Sequence, residues 1–139
     1  MSALQAVGLY SALNLLILLV LAANVSRHRR RAKVSLGTGT DPLLEQAIRA
    51  HGNGVECVPL ALLALFLTAS LGYGAMIVHA LGIGLTLGRF VYSYGLLTSP
   101  GPSMGRMIGT GLTWLVLLAG LFTPLAQADD AALRRRIGD

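Results

Sequence analysis

The sequence predicts an all-α integral membrane protein, a single four-helix bundle spanning residues 1–139. Three observations carry this expectation. Of 139 residues, 54% are hydrophobic and only 12% are charged, against about 25% charged in soluble domains. Apolar segments of membrane-crossing length recur along the chain, separated by short Gly/Pro/Thr-rich connections. The formal net charge of +5 comes mainly from clustered arginines beside apolar segments. That pattern reports membrane topology or anionic headgroups more readily than nucleic acid. The composition thus argues against a soluble enzyme and a nucleic-acid partner. There is a single cysteine, Cys57, so no intrachain disulfide can form. No CxxC, HExxH, P-loop or dinucleotide-binding glycine pattern occurs, and no metal site is expected.

The first span is expected at about residues 4–25, apolar except for Gln5, Ser11, Asn14 and Asn24. No basic residue precedes it, whereas Arg27, Arg29, Arg30, Arg31 and Lys33 follow it. A cleavable signal carries its positive charge ahead of the apolar region, so a retained anchor is expected. VSLGTGTD, residues 34–41, reads as a loop. Asp41-Pro42 then reads as an N-cap followed by proline at the first helical position, with Glu45 in the first turn. The second span is expected over about 45–71. Its uninterrupted apolar part, Cys57 to Leu71, is too short to cross, so the helix must extend back through RAHGNGVE. Pro59 lies within it and predicts a kink, because the Val55 carbonyl loses its helical donor. Gly72-Tyr73-Gly74 makes a turn, the third span covers about 75–97, and the fourth covers about 106–126 after the turn-rich TSPGPSMG. Short connections make sequential helices antiparallel neighbours. The positive-inside rule puts the arginine-rich first loop in the cytoplasm and both termini outside, although Arg134 to Arg136 oppose this orientation.

Polar residues interrupt the apolar runs in a pattern. At 100° per residue, Arg49, Asn53 and Glu56 fall at about 0°, 40° and −20°, one narrow face of the second helix. Arg89 and Tyr92, three residues apart, share a face of the third. Following the chain up and down places these residues, together with Arg27 and Arg106, in the same half of the bilayer. Arg49 and Arg106 lie near helix ends, where snorkelling to headgroups and a site role are equally good readings. Glu56 and Arg89 are embedded among apolar neighbours, where a charge costs about 2.5–3.5 kcal/mol even on a mild scale. They either pair with one another as structure or serve a ligand. His51 falls off the shared face. His79, in the opposite leaflet, and Asn14 are read as hydrogen-bonded structural groups, Cys57 as packing, and the glycines of GIGLTLGRF and GRMIGTGLTW as close helix contacts. Trp114 fits either packing or the interface. Four arginines against one glutamate leave an imbalance that a ligand with more than one negative charge and one amine would complete, and a small peptide with two carboxylates, an amino group and an ionisable thiol would suit.

At these residues the chain resembles the membrane-associated proteins in eicosanoid and glutathione metabolism, the MAPEG family, and specifically its small bacterial inner-membrane members. AIRAHGNGVECVP carries the likeness on the second helix, LGRFVYSYGL on the third and GRMIGTGLTW on the fourth. The resemblance implies a homotrimer that binds glutathione between subunits near the cytoplasmic face. It implies that Arg49, Asn53 and Glu56 hold the peptide, that Arg27 or a basic neighbour reaches a carboxylate, and that Arg89 and Tyr92 lie beside it. Arg106 matches the arginine that stabilises the thiolate. The implied activity is a glutathione-dependent transferase or peroxidase acting on a lipophilic second substrate, with glutathione as co-substrate. Two alternatives stay open: a binding or assembly protein of the same fold without turnover, and a small multidrug exporter. The absence of a carboxylate from the first span weighs against the exporter. Two positions depart from the family pattern. Cys57 stands where several members have tyrosine, and Leu96 stands where some have a second tyrosine.

Overall fold

The computed structural model describes residues 1–99 and 101–138, with side-chain surroundings described as far as residue 129. Four helices account for nearly all of these residues: α1 (Ala3–Ala32), α2 (Pro42–Ser70), α3 (Ala75–Thr98) and α4 (Met104–Gly138). Each contains a stretch long and apolar enough to cross a membrane, and no strand occurs among the described residues. Local chemistry fixes where the helices start. Ser2 and Gln5 form a reciprocal capping box ahead of α1, satisfying two backbone donors that the first turn leaves free. Asp41 accepts from the Leu43 and Leu44 amides at 2.9 and 3.3 Å, with Pro42 opening α2.

The ends follow equally local rules. α1 runs beyond its apolar segment to Ala32, because arginine is a good helix former and the basic last turn of Arg29 to Arg31 suits the negative end of the helix dipole. Lys33 then closes it in the left-handed conformation at φ 55. α3 stops at Thr98. Ser99 precedes a proline in the sequence and takes up extended backbone, φ −141 and ψ 125, as such residues are driven to do. α2 runs unbroken through Pro59, and α4 through Pro124.

α2 and α3 pack together, and each also contacts both α1 and α4, whereas α1 and α4 do not meet among the described residues. The up-and-down path makes α1 parallel to α3. Tyr10 accordingly lies on Gly82 and Asn14 reaches Thr86, at one constant register. α4 runs parallel to α2, with Gly120 on Ala64 and Thr123 beside Thr68. Between membrane helices, packing at small residues replaces the hydrophobic drive, since lipid is as apolar as leucine. Among these glycines the closest approach of a neighbouring backbone is α3 against α4. A Cβ added to Gly109 would stand 2.5 Å from the Gly88 carbonyl oxygen and 2.6 Å from the Tyr92 Cβ. The leucines and aromatics Leu15, Leu16, Leu19, Leu63, Phe66, Leu121 and Phe122 point outward, as a lipid-facing surface requires.

The polar residues of the opposite half make hydrogen bonds within the bundle, although Asn14 Oδ1 is buried without a partner among the described residues. Tyr10 Oη and His79 Nδ1 are 2.8 Å apart, with the rings edge-on at 5.7 Å. Asn14 Nδ2 donates to the Tyr10 carbonyl at 2.9 Å and to Thr86 Oγ1 at 3.0 Å. Both residues therefore act as structural hydrogen-bonding groups between α1 and α3.

Candidate functional site

The half of the bundle next to the α1–α2 loop is differently built. α2 turns its polar face there, α3 presents Tyr92 and Leu96, and α4 begins with Arg106. Together they border a half-open cavity of about 830 Å³. Arg49, Asn53, Glu56, Tyr92 and Arg106 line it, five of the seven residues expected at the site.

The other two are placed differently. Arg89 is buried at 2% exposure and stands behind the wall. Its Nη2 donates to Asn53 Oδ1 at 2.8 Å, and its guanidinium carbon lies 4.8 Å from the Tyr92 ring centroid. A hydrogen bond to a charged group contributes about 1.5–3 kcal/mol, and a desolvated cation–π contact up to about 2 kcal/mol. Together they offset the cost of about 2.5–3.5 kcal/mol for placing arginine at membrane depth. Asn53, not Glu56, is therefore the partner of Arg89. Since Asn53 spends its oxygen on Arg89, its amide nitrogen remains as a donor for the cavity. Arg27 is exposed on α1 and is not among the lining residues.

Glu56 and Arg49 are both exposed along the cavity wall, and no ion pair forms among the described residues. Of the two readings of Glu56 and Arg89, pairing with one another does not occur. Glu56 projects from the outer face of α2, while Arg89 is taken up by Asn53.

Glu45 also lines the cavity, which changes its charge balance. The expected four arginines against one glutamate become Arg49 and Arg106 against Glu45 and Glu56, with Arg89 behind Asn53. This set carries one net positive charge and presents both signs to a ligand. It suits a zwitterion with one net negative charge better than a simple dianion. Glu45 falls at about −40° on the helical projection, within the stripe of Arg49 and Glu56, so the signal was available. Reading it only as a first-turn acid missed it. Thr38, from the α1–α2 loop, also lines the cavity and has no periodicity by which it could be found. Arg29 orders that loop by donating to the Ser35 and Gly37 carbonyls at 3.1 and 3.0 Å.

Arg106 has one guanidinium nitrogen fixed by the Gly101 carbonyl at 3.0 Å, which aims the side chain from the start of α4. A second cavity of about 520 Å³ lies on its other side. It shares Asn53, Tyr92 and Arg106 with the first and adds Pro102, Met107 and Trp114. His51 and Cys57 are half-buried and line neither cavity. Leu96 is on the wall, and Tyr94 faces outward.

The fold and site define a multi-pass helical membrane protein with a polar, arginine-bearing cavity in one half of its bundle. The chain belongs to the MAPEG family, whose pattern it matches over residues 7–126. It is similar to the inner membrane protein YecN of Escherichia coli strain K12, with 34% identity over 111 residues, covering 80% of this chain and 83% of the relative. The YecN protein of E. coli O6:H1 strain CFT073 matches with the same identity and coverage.

Proposed function

We propose that this protein binds glutathione in the larger cavity and activates its thiol for attack on a lipophilic substrate, as a membrane transferase or peroxidase. The observation that carries this reading is the convergence of Arg49, Asn53, Glu56, Tyr92 and Arg106 on one cavity, in a chain of the MAPEG family. Glutathione carries two carboxylates and an ammonium group. Arg49 and the Asn53 amide nitrogen suit the carboxylates, and Glu56 or Glu45 suits the ammonium. A free thiol has a pKa of about 8.5, and a nearby arginine lowers it towards neutrality. Arg106 borders both cavities and is the group for that task. In this reading the sulfur lies at their junction, with the second substrate entering from the apolar side.

The open wall at Arg49 and Glu56 is the motive for a homotrimer. A neighbouring copy would cover those side chains and could bring the exposed Arg27 to a carboxylate. The relatives are named as inner membrane proteins, and we extend that location to this chain, with the α1–α2 loop cytoplasmic. The deciding experiment is calorimetric titration of glutathione into detergent-purified protein. Saturable binding that Glu56→Gln weakens at least tenfold is expected. Absence of binding to the parent protein overturns the reading.

A further inference from the structure

The second cavity contains a hydroxyl that the fold does not use. Threonine inside a helix ordinarily turns its hydroxyl onto the carbonyl one turn back. Thr68, Thr86, Thr98 and Thr113 all do so, at 2.8–2.9 Å, and Thr123 Oγ1 pairs with Thr68 Oγ1 at 3.2 Å. Thr110 has no hydrogen bond among the described residues. It is half-buried and lines the second cavity with Met107, Trp114 and Pro102. Four residues beyond Arg106, it shares that residue's face of α4, about 6 Å further along the axis.

We propose that Thr110 is a catalytic hydrogen-bond donor and that the second substrate is a lipophilic α,β-unsaturated aldehyde or ketone. This rests on the thiol-activating reading above. A donor one turn from the cation that holds the thiolate is offset from the point of attack. It fits an electrophile whose charge-bearing oxygen is several bonds from the attacked carbon. A hydroperoxide fits less well, because its leaving oxygen is bonded directly to the attacked atom. In the addition, the thiolate sulfur forms a bond to the β-carbon. The Cα=Cβ π pair becomes the Cα=C bond of an enolate, and the carbonyl π pair moves to oxygen. The Thr110 hydroxyl donates to that oxygen, and water then protonates Cα. The thiol adds across the double bond without any oxidant or reductant. The apolar walls of Met107, Pro102 and Trp114 suit the alkyl part of such a molecule.

The test compares glutathione addition to trans-2-nonenal with glutathione displacement on benzyl chloride, which develops no charge on oxygen. Proteins to be compared are the parent, Thr110→Val and Thr110→Ser. Removing one donor from an enclosed oxyanion site costs about 10²–10³-fold. In this partly open cavity, Thr110→Val should lower the ratio of nonenal to benzyl chloride kcat/KM at least tenfold, through kcat, and Thr110→Ser should restore most of it. An unchanged ratio, or no restoration by serine, overturns the role of Thr110. If the parent turns over benzyl chloride but not nonenal, the substrate class falls and the thiol-activating function stands. If it turns over neither, both readings fall. Gly111 checks the location, since it lines the same cavity and a Cβ added there meets no atom within 4 Å. Gly111→Leu should slow both reactions severalfold with glutathione affinity retained, and unchanged rates would remove the electrophile from this cavity.

Discussion

Replacing Asn53 with leucine isolates the interaction that keeps an arginine inside the bundle. Arg89 is 2% exposed, and Asn53 is its hydrogen-bonding side-chain partner at 2.8 Å. Leucine branches as asparagine does, with somewhat larger bulk, but offers no acceptor. The loss is the charged hydrogen bond, about 1.5–3 kcal/mol, and the Tyr92 face alone cannot offset the cost of the charge. A change near 2 kcal/mol corresponds to a fall in Tm of roughly 6–10 °C on the scaling of soluble domains of this size. Arg89→Leu should cost less, because it leaves only a neutral amide bordering two cavities. The double variant Asn53→Leu/Arg89→Leu should recover most of the loss, since replacing both members of a buried polar pair with apolar groups is often close to neutral. The assay is thermal unfolding in one detergent for the parent, both single variants and the double variant, analysed as a cycle. If Asn53→Leu melts with the parent, or the two losses simply add, Asn53 does not hold the Arg89 charge.

Three further outcomes are expected. Arg106→Ala should keep glutathione affinity within a few-fold while losing the thiolate absorbance near neutral pH, with Arg106→Lys intermediate because lysine keeps the charge but not the planar fork; an unchanged thiolate titration removes Arg106 from the chemistry. Gly109→Ala should destabilise by about 1–3 kcal/mol, because its Cβ would meet the Gly88 carbonyl oxygen and the Tyr92 Cβ; thermal unfolding checks the cost, and a Tm equal to the parent's would show that α3 and α4 part easily there. Native mass measurement in detergent should find three copies, and a monomer that still binds glutathione tightly would exclude a site shared between subunits.

How much of this was legible in the sequence depends on the range of the interaction. Helix positions were set by near neighbours, so Asp41-Pro42 marked the start of α2, and Gly72 to Gly74 the turn before α3. The end of α1 was less visible. Hydropathy stops at Val25, whereas backbone hydrogen bonding continues through arginines that favour helix as much as leucine does. At the site, a single-helix projection found the α2 face and grouped Arg49 with Asn53 and Glu56. It could not say which neighbour faces which. Arg89 meets Asn53 rather than Glu56 because of the rotation of α3 against α2. That rotation is set by remote packing at small residues, including Gly54 beneath Leu18, Gly82 beneath Tyr10 and Gly88 against Leu112. Charge counting offered Glu56 as one possible partner of Arg89 because it asks only for opposite sign. The bundle answers with geometry, and a neutral amide at the right angle stabilises the buried cation while the carboxylate stays on the open wall. The same distinction separates Thr110 from the other threonines. Apart from Thr38 and Thr40 in the α1–α2 loop, all lie in helices, and only the three-dimensional arrangement shows which helical hydroxyl makes no hydrogen bond among the described residues.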